Sequence, residues 1–490
     1  MVTPENPWVL LLMVCLVGGA FIVYLLARLL ALRNQRLALF TALVFALALG
    51  ILLTLAAPAR NGGPIPIWEA FQPGGAAMRL DTGALFIGAM TLGLGLCVAL
   101  YSACYLSLDL RYKMYYPLLL LLSVGVLGMV MSTDLFSLYM FCELMSVTAY
   151  VLVAFRRHLD TAVEAGFKYL IMGSVGTLTL LLGIAFVYRE TGVLALPQEM
   201  ASPGVWGRVG LACILTGLSV KCALVPAHTW LPDTYGRAPS SISAMLSGIV
   251  AAAVFYVLLK TTLGLGFPAR DLGGLLMLLA FLNMTVGNFM ALVQTNTKRL
   301  LAYSSVAQLG YVMFGVGVGL RYDLPSAVQS GFFLLLTQAV MKALAFLSKG
   351  VCHFYCHTSL VSELRGTFQR MPLAAITFSI ALLGMIGLPP LAGFAGKWFV
   401  LAEMLRTGDG VVFAGVVLFL LNTLISLGYY LPLIAVLFAP LPEGAPAGTI
   451  SLSAWMVAPL LILAALVVLM GIAPDPWLRW SADVLAVWSG

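Results

Sequence analysis

Apolar segments long enough to cross a membrane follow one another along almost the entire chain. Of the 490 residues, 62% are hydrophobic and 9% are charged, and the mean hydropathy is +1.04. Soluble globular proteins carry charge on about a quarter of their residues, so this composition excludes that class. Because an apolar run of about 20 residues spans the bilayer as a helix, the sequence predicts an all-α polytopic membrane protein.

We expect about 14 transmembrane helices. Their approximate ranges are 8–32, 37–57, 82–107, 115–132, 134–155, 166–188, 209–230, 240–262, 272–293, 300–319, 327–350, 373–404, 411–438 and 452–473. The longest polar connections, near 58–81 and 189–208, are rich in Pro and Gly and too short to fold alone.

Loop charges indicate the orientation of the chain. With the N-terminus outside, the inward loops contain thirteen basic residues, among them Lys298 and Lys349, against six acidic ones. Cytoplasmic loops of membrane proteins carry the excess of Lys and Arg. The net charge of +7 therefore indicates a membrane orientation and not nucleic-acid binding. An even number of helices places both termini outside, in what we expect to be a bacterial or archaeal cytoplasmic membrane.

Lys221 lies inside an apolar stretch, 209–225, and Pro226 follows it. A lysine at bilayer depth costs about 3 kcal/mol unless it is paired or reaches water. A proline removes a backbone donor and breaks or kinks the helix. An ionisable group beside a broken transmembrane helix is typical of an ion pathway. The alternative is a lysine that extends from a helix end to the interface.

Five charged residues lie within predicted helices: Glu143, Lys168, Lys221, Lys342 and Lys397. A nearby carboxylate stabilises a buried lysine in its charged form, and moving the two apart would favour proton release. A series of such sites would pass protons through the membrane along buried water. The alternative is a static ion pair, which would leave three lysines without an acidic partner.

The seventh and twelfth spans are interrupted in a similar way. Lys221 precedes Pro226 in one, and Lys397 follows Pro389 and Pro390 in the other. The two spans lie five apart and therefore run in opposite directions. Two inverted five-helix units with broken helices are an architecture of ion-coupled transporters. We expect helices 1–3 in 1–110, the two units in 111–265 and 266–440, and helix 14 with a tail in 441–490.

Several segments resemble the antiporter-like proton-translocating subunits of respiratory complex I, Mrp-type cation/proton antiporters and membrane-bound hydrogenases. The resemblance covers roughly residues 110–435. It rests on Leu135–Tyr150 around Glu143, Val220–Asp233 with Lys221, Pro226 and His228, Ala238-Pro239, Ser243–Gly248, Gln294–Ser305, Gly387–Phe394 with Lys397, and Asn422–Tyr430.

The resemblance implies a fourteen-helix fold with inverted repeats at helices 4–8 and 9–13. It implies that Glu143 and Lys221 form a switching ion pair, and that Lys342 and Lys397 continue the route. It further implies that Lys168 pairs with a glutamate of the adjacent subunit or with Glu143.

The sequence departs from the family pattern at the centre of the route. Ala252 stands where a lysine is common, and the nearest lysine is Lys260. Gln308 and Gln338 stand where histidines are common. We treat these three polar residues and His228 as candidate relay positions. Interhelical hydrogen bonds are an equal explanation for the glutamines, and a place at the inner mouth is an alternative for His228. We expect reduced but real conduction, with a scaffold role as the alternative.

Cys352, His353, Cys356 and His357 form a cluster at the inner end of the eleventh span. Two cysteines and two histidines can bind zinc. On a helix, however, the cysteine pair and the histidine pair point about 100° apart, which suits one tetrahedral ion poorly. We expect a structural role and no metal.

Together, these observations predict a proton- or Na⁺-translocating subunit of a multisubunit membrane complex. Its partners would be lipid and other membrane subunits, driven by a redox arm or by cation/proton antiport. We expect no cofactor on this chain, because it has no four-cysteine cluster, no nucleotide-binding fingerprint after a strand and no Walker motif. The alternatives are a stand-alone secondary carrier and a non-conducting structural subunit.

Overall fold

The computed structural model describes residues 7–30, 32–61, 65–68, 78–109, 111–196, 200, 204–441, 448–482 and 484–485. The expected outward position of both termini concerns residues 1–6 and 486–490, which lie outside this part. Glu443, which we counted among the inward acids, lies outside it as well.

The chain is almost entirely helical. Its first part forms α1 (Pro7–Leu29), α2 (Asn34–Asn61), α3 (Thr82–Tyr105), α4 (Tyr112–Met131), α5 (Leu135–Val153), α6 (Asp160–Thr191), α7 (Val205–Lys221), α8 (Leu231–Arg237), α9 (Ser240–Met245) and α10 (Ala251–Gly264). Its second part forms α11 (Ala269–Leu292), α12 (Thr297–Arg321), α13 (Pro325–Cys356), α14 (Thr367–Arg370), α15 (Pro372–Ile386), α16 (Ala392–Leu405), α17 (Gly410–Phe438), α18 (Ala454–Ile472) and α19 (Asp475–Trp480). A π-helical segment, Leu246–Val250, joins α9 to α10, and a 3₁₀ turn covers Ser362–Leu364.

Twelve helices of the described chain are long and apolar enough to cross a membrane, or thirteen if one bent pair forms a single span. The chain is therefore an all-α polytopic membrane protein, as predicted. Hydrocarbon offers no hydrogen-bond partners, so a spanning chain must satisfy its backbone internally, as helices do. The number stays below fourteen because two predicted spans are divided, which leaves α7 with 17 residues and α16 with 14.

Three spans form the centre of the bundle: Ser240–Gly264, α12 and α13. In each of them 94% of the apolar window is buried. Outer helices such as α1, α17 and α18 instead present a face of large exposed apolar side chains, for example Phe21 at 61% exposure. The charged residues described below therefore lie in or beside a core from which lipid is excluded.

A short β-ribbon occupies part of the first long polar connection, which we described from the sequence as rich in Pro and Gly and too short to fold alone. Strand β1 (Ile65–Trp68) pairs antiparallel with β2 (Met78–Leu80), with an irregular register between Pro66 and Trp68. The pairing satisfies backbone groups of the two segments without a helix.

Candidate functional site

Lys221 ends helix α7 and is buried, with 5% of its surface exposed. Its Nζ donates hydrogen bonds to Ser146 Oγ at 2.6 Å and to the Tyr150 hydroxyl at 2.9 Å, both on α5. The carbonyl end of a helix dipole also favours a cation at this position. Two hydroxyls and a helix end therefore hold the Lys221 ammonium in the core.

Glu143 is half-buried on α5, one turn before Ser146. Phe136, Met140 and Val147 lie at helical spacing from it and are about half exposed. Tyr139 lies one turn earlier on α5 and is therefore its neighbour on the helix surface. Glu143 and Lys221 form no ion pair in this structure, in which the described residues form five others.

Lys168 lies at the surface of the described chain and not in its core. Its side chain is 47% exposed and pairs with Glu164 at 2.7 Å and with Asp233 at 3.1 Å. Arg299 approaches the same Asp233 at 3.5 Å. Lys168 thus belongs to a surface charge cluster that connects α6, α8 and α12, and it does not pair with Glu143 here.

The first break follows Lys221 directly. Ala223 adopts a left-handed conformation with φ of 54°, which is uncommon for a residue other than glycine, and the Val225–Pro226 peptide bond is cis. Side chains satisfy the backbone groups released by the break. Trp230 Nε1 donates to the Val220 carbonyl at 3.0 Å, and Asn283 Oδ1 accepts from the Val225 amide at 2.8 Å.

His228 lies in the same break and is buried, with 9% exposure. Its ring faces that of Tyr303, with 6.3 Å between the centroids. Among the described residues, its Nδ1 has no hydrogen-bond partner. The imidazole therefore points a free polar atom into the protein between the first break and α12.

Lys342 lies in the middle of α13 and is 2% exposed. Its Nζ donates to the Leu301 carbonyl at 3.0 Å and to Ser304 Oγ. One turn earlier, Gln338 Nε2 donates to the Gln308 carbonyl at 2.6 Å. Lysine and glutamine together form a polar seam between α12 and α13.

A cavity of about 30 Å³ lies at this seam. Its walls include Gln308, Gln338 and Lys342 from one half of the chain and Ser247 and Ala252 from the other. A water molecule needs a cavity of about 10–15 Å³, so this one has room for a few waters at most. The methyl group of Ala252 thus leaves a small polar space at the position where the family resemblance places a lysine.

Lys397 lies beyond the second break and is 6% exposed. Its Nζ donates to the carbonyls of Met385 and Ile386, at 3.0 and 3.1 Å, where α15 ends. It also lies 4.6 Å from the centre of the Tyr311 ring. Because the last carbonyls of a helix lack partners within it, the lysine caps one half of the broken span from the other half.

The second break contains Pro389 and Pro390, joined by a cis peptide bond, and begins with Gly387 at φ of 94°. The Met385 carbonyl also accepts a hydrogen bond from Gln308 Nε2 at 3.1 Å. This shared carbonyl connects the polar seam around Lys342 to Lys397.

Lys260 is fully buried but lies apart from the polar seam. Its Nζ donates to the carbonyls of Val130 at 2.8 Å and Ser132 at 2.5 Å, at the C-terminal end of α4. Ala252, two turns away on the same span, does line the central cavity. The structure therefore places Lys260 at a helix end and does not bring it into the position of the missing lysine.

Two buried lysines were assigned to loops by the sequence. Lys298 is 4% exposed and donates to the Ala238 carbonyl at 2.5 Å, and Lys349 is 0% exposed and donates to the Thr358 carbonyl at 2.7 Å. That assignment is corrected here, because Lys298 turns into the protein from the first turn of α12 and Lys349 lies about two turns before the end of α13. In the sequence, both lysines lie near the end of a predicted span. At that place hydropathy does not distinguish a buried lysine from one in a loop.

The four side chains of the cysteine and histidine cluster have separate surroundings in the described part of the chain. Within the described part of the chain, no group of three or more His, Cys, Asp or Glu side chains could hold an ion. His353 Nδ1 lies 3.1 Å from the Thr358 carbonyl, and Cys356 lies 3.7 Å from an Arg370 nitrogen. His357 ends α13 in a left-handed conformation. Cys352 is buried in the core.

The sequence is similar to subunits of an F(420)H(2) dehydrogenase and of NADH-quinone oxidoreductases. Residues 132–426 match the family described as NADH:quinone oxidoreductase/Mrp antiporter, TM. The F(420)H(2) dehydrogenase subunit N of Methanosarcina mazei is 31% identical over 430 residues, which cover 84% of this chain and 85% of the relative. The NADH-quinone oxidoreductase subunit N of Desulforamulus reducens is 33% identical over 410 residues, which cover 81% and 83%.

Solved structures show the same fold. A chain of the archaeal membrane-bound sulfane sulfur reductase superposes with a TM-score of 0.86 at 26% identity, covering 98% of this chain and 97% of that one. A chain of respiratory complex I from Thermus thermophilus gives 0.77 at 29% identity, covering 96% and 99%. A chain of the Mrp complex from Dietzia sp. gives 0.88 over 98% and 97%, and at 22% identity it shows likeness of fold alone.

Proposed function

Because the chain belongs to the NADH:quinone oxidoreductase/Mrp antiporter membrane-subunit family, we propose that it is a proton-translocating, antiporter-like subunit of a multisubunit membrane complex. One observation carries this proposal. Lys221, Lys342 and Lys397 are buried in the bundle, and each ammonium is held by hydroxyls or by backbone carbonyls. Ionisable residues at bilayer depth are costly and are typical of proton relays.

The route runs from Lys221 across the central cavity to Lys342, and then along the Gln308 and Met385 contacts to Lys397. Water in the cavity replaces the lysine that is missing at Ala252. The cavity supports this step, since Ala252 and Lys342 both line it. The glutamines orient water and do not themselves titrate. Conduction through this subunit is therefore slower than through a relative that keeps the lysine.

Glu143 acts as the mobile partner of Lys221. In the present state, Lys221 donates hydrogen bonds to the hydroxyls of Ser146 and Tyr150 and forms no ion pair with Glu143, which lies one turn before Ser146 on α5. A rotation of side chains within one turn of α5 would exchange these partners. His228 then acts on the inner side of the route through its free imidazole nitrogen, whereas Lys168 stays in the surface charge cluster with Asp233.

The transported ion is the proton and not Na⁺. Alkali and alkaline-earth cations are bound by oxygen ligands, with carboxylates in the stronger sites. The route instead presents three ammonium groups, which are hydrogen-bond donors without acceptor capacity and repel a cation. Lysines can pass a proton, but they cannot coordinate sodium.

The two interrupted spans support fourteen transmembrane segments, with α7–α8 and α15–α16 each counted as one broken span. On this basis we propose helices 1–3 in 1–110, inverted units in 111–265 and 266–440, and a last helix in 441–490. The order of lysine and break along the chain supports the inversion of the two units. Lys221 comes before the first break, whereas Lys397 comes after the second break.

The test is purification from native membranes in mild detergent, with mass spectrometry of the proteins retained and assay of proton movement after reconstitution. Iron–sulfur or flavin subunits among the retained proteins would identify a redox-driven pump. That result would agree with the relatives, which are subunits of a dehydrogenase and of quinone oxidoreductases. Related antiporter subunits alone would identify cation/proton antiport. A chain that purifies alone and transports a solute would overturn the proposal and support a stand-alone carrier.

A further inference from the structure

A second cavity lies away from the line of lysines, between α2, α3, α13 and α18. Its volume is about 470 Å³, and its walls are formed by apolar side chains that include Leu53, Leu96, Leu336 and Leu466. Cavities of about 300–1,000 Å³ bury drug-sized ligands. The described lining offers no charged group, so a ligand that fits it is a hydrocarbon.

The cavity opens sideways to the bilayer. Leu53 on α2 and Ile462 on α18 both line it, yet they remain 57% and 48% exposed. These two side chains lie at the edges of the opening, which forms a slot between α2 and α18. Because the surroundings of a transmembrane helix at this depth are lipid chains, the slot gives lipid direct access.

One end of the cavity has the chemistry of a membrane interface. Trp477 and Trp480 of α19 line it, and Arg479 between them is exposed. Tryptophan is enriched where hydrocarbon meets head groups, and arginine attracts lipid phosphate. The arrangement matches a molecule with a long apolar tail and an anionic head.

We propose that this cavity, between α2 and α18, binds one acyl chain of a membrane phospholipid whose phosphate lies at Arg479. The bound acyl chain would also seal the side of the proposed proton route. Ala339 lines both this cavity and the central one, and the neighbouring residues Gly248 and Ile249 line one each. The two cavities thus lie close together at Ala339, and, on the proposed function, an occupied slot keeps water from leaking between the polar seam and the bilayer.

Gly93 on α3 provides a way to fill the cavity. It lines the cavity, and a Cβ at this position would meet no atom within 4 Å. We therefore expect leucine there to extend into the slot, because its Cβ meets no neighbouring atom. Gly18 on α1 is the matched control, because its Cβ would also meet nothing and it does not line the cavity.

The experiment uses cells fed a diazirine-bearing fatty acid, irradiation of their membranes, purification of the whole complex and mapping of lipid adducts by mass spectrometry. We expect adducts on the α3 and α18 walls, severalfold fewer in Gly93→Leu and unchanged in Gly18→Leu. If Gly93→Leu lowers assembly, Gly93→Val replaces it.

Adducts that persist in the filled variant would overturn the proposal. So would walls that stay unlabelled while the exposed face of α1 is labelled, or a cross-link from these walls to another subunit. The test needs no proton transport, so its outcome is independent of the proposed function.

Discussion

The Nζ atom of Lys221 lies 2.9 Å from the hydroxyl oxygen of Tyr150, so at the first break in the bundle the lysine meets a tyrosine and not a carboxylate. Ser146 provides a second hydroxyl at 2.6 Å. A neutral hydroxyl holds a lysine less firmly than a carboxylate does. This arrangement suits a lysine that must give up its proton. Because hydroxyls hold Lys221 in this state, the half-buried Glu143 is free to pair with Lys221 in a later step.

Removal of both hydroxyls tests this arrangement. We expect Ser146→Ala with Tyr150→Phe to slow proton translocation strongly, because Lys221 then has neither partner for its resting position. Each membrane-buried hydrogen bond contributes about 0.6 to 2 kcal/mol, so the assembled complex should survive with a modestly lower Tm. Thr179→Val, which removes an exposed hydroxyl from α6, should leave translocation unchanged. Normal translocation by the double variant would contradict the resting role.

The central cavity can be closed by two methyl groups. We expect Ala252→Val to exclude water from the space beside Lys342 and to slow proton transfer, measured as proton uptake per turnover in reconstituted vesicles. Overpacking of this kind costs about 1–3 kcal/mol, so a thermal-shift assay must accompany the measurement. Ala252→Ser keeps the space polar and should conduct normally. Equal conduction by both variants would show that water in this cavity is not on the route.

Lys260 should matter for stability more than for conduction. In Lys260→Met, the Val130 and Ser132 carbonyls lose a buried donor, and an unsatisfied buried group costs about 1–3 kcal/mol. We therefore expect a clearly lower Tm in detergent but a near-normal proton uptake per assembled complex. Loss of uptake without a change in Tm would place Lys260 on the route instead.

Lys168 is expected to contribute little. Its ammonium is 47% exposed and pairs with two partly exposed acids, and such surface pairs contribute little stability. Lys168→Ala should leave assembly intact and proton uptake close to normal. A loss of uptake comparable to that from a change at Lys342 would mean that Lys168 is a relay residue.

The transmembrane pattern and the burial of Lys221, Lys342 and Lys397 were predictable, because a lysine at bilayer depth has few explanations. Their partners were not. Ser304 and the Met385 carbonyl come from neighbouring helices, and which side chains face each other depends on packing that one sequence does not reveal.

Other features gave weak or misleading signals. Lys298 and Lys349 stand at the ends of apolar spans, where hydropathy cannot distinguish a loop from a buried end. Ala223 adopts a left-handed conformation that alanine rarely takes, whereas Gly387 marked the equivalent turn of the second break. The space beside Ala252 becomes visible only once the surrounding helices are in place.

The measurement that tests the central claim most directly is proton translocation by the assembled complex carrying Lys221→Ala, with Lys168→Ala as the matched lysine control. The complex is purified with its partners, reconstituted, and driven by its own reaction while proton uptake is recorded. The account predicts intact assembly with translocation lost in Lys221→Ala and retained in Lys168→Ala. Translocation retained in both variants, with assembly intact, would contradict the claim that buried Lys221 carries the proton.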